Sequence, residues 1–430
     1  MRHASLCCCA LVASWLLAIA AANAQLRGHG GPVRALAVSP DGKILMSGSF
    51  DTSAIRWSLA RSAAEDVLRF HDGAVNAVVL LKDGGAATGG EDARIAIWNP
   101  GERMPRTVLE GHLAPVVALA VSGDGRILAS ASWDHTARLW PVGGGAPRLL
   151  AGHSQNVNGV AFTPDGRAVV TAGYDATLRI WPLSGDDTPL IAVLPTPLNA
   201  VAIAPDGEIV TAGADGKIYA LSVTGARRSD IAAESTPIVA IALTSDGRRI
   251  AAAGIRGSIT ILDRAARRIE RTLIGPSTPV WSVLFLPDNR TLLAGGADRV
   301  IRRWDTVTGE PLDSVAAGGI DDPLAAYAGD PGAEVFRACI ACHALGPDGG
   351  NRAGPTLAGL FGRRIATLPG YNFSATLKAL DIVWTPETVS RLFEIGPAAF
   401  TPGTKMPEQR IGSAADRAAL VQFLAKATAR

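Results

Sequence analysis

The feature that most restricts the fold of this chain is a recurrence. Trp57, Trp98, Trp140 and Trp181 stand 41, 42 and 41 residues apart, and Leu221, Leu262 and Trp304 continue the series at 40, 41 and 42. Seven units of one period mean seven copies of one supersecondary element, each needing neighbours to bury its apolar face. Within a unit the apolar residues alternate instead of recurring at helical spacing. Val157 to Phe162, Val169 to Ala172 and Leu178 to Trp181 read as strands, separated by Pro164-Asp165-Gly166 and a turn at Asp175. The 47 glycines and 27 prolines supply tight turns, and 48% apolar against 19% charged residues suits many short strands.

A period of about 40 to 45 residues with Gly-His ahead and Trp-Asp or a relative behind resembles the WD-repeat family. Gly28-His29, Gly111-His112 and Gly152-His153 match its Gly-His, and Asp51, Asp92, Asp134, Asp175, Asp215 and Asp298 match its tight-turn aspartate. The likeness implies seven four-stranded blades, with His153, Thr171, Asp175 and Trp181 completing the family's hydrogen-bonding set in the fourth. Units five and six lack His and Trp and are expected to be held mainly by packing. Residues that recur with the repeat belong to a structural network, so no catalytic residue is assigned. Trp133, Trp281 and His135 fall outside the period and are candidates for contact with a partner. By analogy of fold, the resemblance implies a protein-binding scaffold. The ring is expected to close either with Glu310 to Val315 or with Gln25 to Gly28.

The periodicity ends near residue 318, where Gly318 to Gly329 reads as a short linker. Beyond it Cys339, Ile340, Ala341, Cys342 and His343 spell C-x-x-C-H. On a helix this spacing lets two thiols add across the vinyl groups of one haem while the imidazole reaches iron, so the motif reads as attachment of a single haem c. A redox C-x-x-C would sit beside a βαβ pattern, and zinc would need four ligands; the last hundred residues hold no other Cys and no other His. Of Met46, Met104 and Met406, only Met406 lies outside the repeats, in the loop Thr401 to Pro407. It is either the sixth iron ligand or a core filler.

From Asp330 onward the chain resembles the class I cytochromes c of mitochondria and bacteria. The match is carried by Cys339, Cys342, His343, Gly349-Gly350-Asn351, Gly354-Pro355-Thr356-Leu357, Gly359 to Arg363, Ser374-Ala375, Trp384 and Pro402 to Met406. It implies that Pro355 buttresses the proximal imidazole through its carbonyl, that Arg363 and Trp384 lie near a haem propionate, and that Met406 is the distal ligand. Phe373 and Phe393 stand where the family usually keeps Tyr, which removes two hydroxyls that tune such a site. Local signals agree with three helices: Val335, Phe336 and Cys339 at helical spacing, Thr385-Pro386-Glu387 opening a helix stopped by Gly396-Pro397, and a capping box from Ser413 to Asp416.

The expected fold is therefore multidomain: a signal peptide at 1–24, an all-β seven-bladed propeller at 25–317, a linker at 318–329 and an all-α cytochrome c domain at 330–430. Arg2 and His3, an apolar run from Leu6 to Ala22 and Ala22-Asn23-Ala24 read as a cleavable export signal, with an uncleaved anchor as the alternative. Bacteria attach haem to C-x-x-C-H outside the cytoplasm, so signal and motif agree on the periplasm, without a membrane span in the mature chain. Net charge is +2, with no nucleic-acid footprint; residues 331 to 430 carry 11 Lys/Arg against 7 Asp/Glu, and Arg352, Lys378, Lys405 and Arg410 are candidates for steering an acidic redox partner. Three function classes follow. They are a one-electron carrier with a partner-binding propeller, an oxidoreductase whose propeller houses a further cofactor or substrate site, and a haem-based sensor.

Overall fold

The computed structural model describes residues 25–184, 188–234, 236–274, 279–313, 324–327, 329–336, 339, 343–346, 354–369, 371, 373–402, 404, 406, 411 and 413–429. The expected signal segment at 1–24, most of the expected linker, Cys342, Gly349 to Arg352, Gly403, Lys405 and Arg410 lie outside the described residues.

The repeats form seven separate four-stranded antiparallel sheets, one per blade. In the fourth, Val157–Phe162 pairs with Ala168–Gly173, then Thr177–Pro182, then Leu190–Val193. The three inner strands match those read from alternation to within one residue. The outermost strand is short and largely exposed, which is why alternation did not reveal it. Trp57, Trp98, Trp140, Trp181 and Trp304 are all buried, each in a seam where one sheet meets the next.

Every blade carries the same irregularity. The innermost strand loses register at its second residue, between Val33 and Ala35, Val75 and Ala77, Val116 and Ala118, and so around the ring. Such a bulge bends the strand, adds twist and turns one side chain out of the ladder. Asn158 and Asn199 use this position to donate Nδ2 to the Leu198 and Ile238 carbonyls of the following blade, at 3.0 and 2.8 Å. Trp281 occupies it in the last blade, half-buried, with the Arg34 guanidinium carbon of the first blade 5.4 Å from its ring centroid. Trp281 thus seals the ring, whereas Trp133 and His135 are exposed.

Both candidate segments contribute to closure. Leu26–Arg27 pairs with Ile301 and Val300 as the outer strand of the seventh sheet, and Pro311 bridges to Trp304 further along the same strand. Leu26 is 1% exposed and packs with Val33, Trp57 and Ile301 across the first and last blades. Arg303 and Asp313, both buried, pair at 2.6 Å and hold the second segment in place.

The C-terminal region is helical: α1 (Pro331–Phe336), α2 (Ala375–Ala379), α3 (Pro386–Ile395), α4 (Pro397–Phe400) and α5 (Ala414–Ala427). α1, α3 and α5 are the three expected helices; α2 and α4 are short additions. Thr385 and Thr388 cap α3 reciprocally, and Ser413 accepts from the Asp416 N–H to open α5. α1 crosses α5 closely because Gly332 has no Cβ, which would overlap the Ala419 carbonyl oxygen. Phe336 and Tyr327 then pack on Phe423, with ring centroids 5.4 and 5.1 Å apart. No described helix is long and apolar enough to cross a membrane.

Candidate functional site

The α1–α5 crossing presents the segment that follows α1 to the interior. Cys339 N–H donates to the Phe336 carbonyl at 2.7 Å and His343 N–H to the Cys339 carbonyl at 3.0 Å, so thiol and imidazole lie one helical turn apart. Cys339 is 8% exposed, and burial pushes its thiol up to about 11, only weakly opposed by the charge of Arg299. Such surroundings favour an uncharged sulfur. The His343 Nδ1 lies 2.8 Å from the Pro355 carbonyl oxygen. A carbonyl only accepts, so Nδ1 carries the proton and Nε2 is the basic nitrogen of the ring. Gly354 makes this approach possible: a Cβ there would lie 2.7 Å from Nδ1.

Cys339, His343, Pro355, Arg363, Trp384 and Met406 all line one cavity of about 390 Å³. Its remaining lining from this domain is mostly apolar, including Leu360, Phe373, Leu392 and Phe393. The volume is that of a cofactor site. An oriented imidazole, a neutral thiol, a thioether and an apolar floor fit haem. Arg363 donates Nη1 to the Ala358 carbonyl and Nη2 to that of Thr356, at 2.9 and 3.1 Å. The Trp384 backbone pairs with Gly362 and Arg363, which brings the indole to the wall.

Sequence reasoning missed part of the lining. Tyr371 packs on Phe373 at 4.6 Å between ring centroids and puts a phenol near one of the two Phe positions. Asp51, Arg69, Phe70 and Met104 reach the same cavity from the propeller. Met104 lies in the repeats, yet it is 65% exposed and borders the cavity, so location in the repeats does not separate it from the site. Met46, by contrast, is buried in the seam between the first two blades.

The blade histidines are structural. In the first blade His29 bridges Asp51 and Ser47 at 3.0 and 2.7 Å, and Trp57 Nε1 donates to the same Ser47 hydroxyl at 2.8 Å. His112 and His153 repeat the pattern, and so does His71, which follows Phe70 instead of Gly. Burial alone would raise the Asp51 carboxyl, but the charge and hydrogen bond of His29, with Ser53 and Gly30, outweigh it and hold it at about 2. Asp92, Asp134 and Asp175 are likewise held low against burial by hydrogen bonds that include their histidines, while burial lowers His153 itself. Units five and six, expected to be held mainly by packing, also carry part-buried polar pairs. Tyr219 donates to Asp215 at 2.6 Å, and Glu234 accepts from Thr260 and Ser258 at 2.7 and 2.8 Å. Among the described residues no group of three or more His, Cys, Asp or Glu is placed to hold a metal.

Comparison with known proteins agrees with both halves. The model for the WD domain, G-beta repeat, matches residues 22–58, 103–141, 146–182 and 267–305, and the model for cytochrome c matches residues 329–428. The chain is 44% identical over 84 residues to cytochrome c2 of Blastochloris viridis, covering 20% of this chain and 65% of that protein. It is 36% identical over 99 residues to cytochrome c of Sesamum indicum, covering 23% of this chain and 88% of the relative. It is 44% identical over 78 residues to cytochrome c-550 of Ancylobacter novellus, covering 17% and 72%. These likenesses support electron transfer through haem, with the propeller as scaffold. The chain belongs to the cytochrome c family, its haem domain fused behind a seven-bladed WD-repeat propeller.

Proposed function

We infer that the protein is a periplasmic one-electron carrier, exported by a signal at 1–24, with a propeller at 25–317 joined through 318–329 to a haem domain at 330–430. One haem c, bound through Cys339 and Cys342, would supply an iron that alternates between Fe(II) and Fe(III). His343 would be the proximal ligand, held in register by the Pro355 carbonyl, and Met406 the distal one. Trp384 and Arg363 would shape the wall on the propionate side. The observation that supports this reading is the hydrogen bond to the Pro355 carbonyl, which leaves His343 Nε2 as the basic nitrogen on a cavity shared with Cys339 and Met406. The propeller would bind the redox partner or a complex containing it, and the positive balance of residues 331 to 430 would favour an acidic partner.

The test is extraction. Protein from a host competent in haem c maturation, denatured and treated with acid acetone, should keep its pigment and show the pyridine haemochrome of two thioether links. Complete loss of colour from the polypeptide would remove the reading.

A further inference from the structure

We propose that Arg69 of the propeller binds a haem propionate, so that the first blade completes the haem site. The inference rests on the covalent-haem reading above.

Arg69 ends the outer strand of the first blade, Ala63–Arg69, where the ladder sets it opposite Ser53. The next residue anchors the segment: the Phe70 ring packs edge-on against His71 and Trp98, at 5.4 and 6.4 Å. From this fixed base the Arg69 guanidinium carbon lies 4.8 Å from the Tyr371 ring centroid, across the boundary between the domains. The group faces the cavity that His343 and Met406 line. Its Nη2 is buried and has no hydrogen-bond partner among the described residues. A buried donor of that kind calls for an acceptor, and a charged one for an anion.

Among the described residues, the neighbouring protein groups do not supply it. Asp51 reaches the cavity, but its carboxylate already accepts from His29, Gly30 and Ser53. On the periphery of a haem the hydrogen-bond acceptors are the two propionate carboxylates, and a guanidinium fork matches a carboxylate face to face. Arg363, the residue that the family resemblance places there, gives both Nη atoms to backbone carbonyls. Arg69 therefore takes the propionate role from outside the haem domain. Tyr371 orients it from below. The propeller then encloses one haem edge, and its position adjusts the potential of the iron.

Full-length protein carrying Arg69→Gln, Arg69→Met or Arg69→Lys is compared with wild type and with Arg167→Gln, an exposed arginine paired with exposed Asp165. Pyridine haemochrome spectra first establish covalent haem in each. The midpoint potential and the propionate bending modes in resonance Raman spectra are then measured. Loss of the cation should stabilise Fe(III), so Arg69→Gln and Arg69→Met lower the potential and shift the bending mode, while Arg69→Lys restores part of both. Arg69→Met keeps the aliphatic stem and carries the test if Gln is not tolerated. Haem-loaded Arg69 variants whose potential and Raman modes match Arg167→Gln would overturn the proposal and leave the haem reading intact. A wild type without covalent haem would overturn both.

Discussion

At the scale of single residues, the haem site depends on two small facts that sequence spacing does not express. The first is the space that Gly354 leaves for the His343 ring. Gly354→Ala puts a methyl 2.7 Å from Nδ1, so the ring must turn away from the Pro355 carbonyl. The expected result is a lower yield of low-spin holo-protein, read from absorbance per polypeptide; an unchanged yield and spectrum would show that the ring adapts without cost. The second is the choice of thioether. Met406→Ala should leave haem attached, lower the potential and abolish the sulfur-to-iron band at the red end of the spectrum. Met104 borders the same cavity, so Met104→Leu is the necessary comparison and should leave the band in place. Loss of the band in Met104→Leu and its survival in Met406→Ala would reverse the assignment.

At the scale of elements, each blade is stapled by a buried polar set. Trp181 is buried and donates to Thr171 at 2.9 Å, so Trp181→Ala should cost about 3 to 5 kcal/mol by denaturant unfolding. Tyr219→Phe removes the donor to Asp215 from a fully buried ring, at an expected cost of about 1 to 3 kcal/mol. A Tyr219→Phe protein as stable as wild type would mean that the fifth blade stands on packing, as its missing His and Trp imply. The same sets make the propeller acid-sensitive. Carboxyls held low in the fold add stability that is complete above about pH 4 and is lost as pH falls toward the Asp51 value of about 2. His153, held neutral by burial, resists a proton that the unfolded chain accepts below about pH 6.5, so its contribution also declines on acidification. The melting temperature should therefore fall from about pH 6.5 downward, and a melt that stays level to pH 3 would contradict the network.

At the scale of the whole molecule, closure of the ring is the event that makes seven blades one domain. Two segments flanking the propeller share the last outer strand, but their weights differ. Leu26 is buried in the seam between first and last blades, whereas Leu312 is exposed beside its backbone bond to Arg303. Leu26→Ala should destabilise by about 2 to 5 kcal/mol, and Leu312→Ala by no more than about 0.5 kcal/mol. Equal losses in calorimetry would show that both segments carry the closure together.

Periodic and adjacent features were legible in the chain. The seven repeats, the inner strands, the caps of α3 and α5, and the pairing of Cys339 with His343 all arise from residues within one turn or one hairpin, where spacing alone sets which side chains meet. His71 escaped because Phe70 broke the Gly-His pattern, although its distance to Asp92 kept the period. What the sequence alone could not determine was every contact made across long stretches of chain: Leu26 against Ile301, Trp281 under Arg34, Met104 at the cavity rim, and Arg69 over Tyr371. Those depend on where blades and helices come to rest once their apolar faces are buried, and no local propensity encodes that position. The amino-acid order thus determined a propeller and a haem-bearing helical domain. The tertiary structure decided that the first blade forms part of the wall around the iron's place, because only packing brings residues some three hundred positions apart into contact.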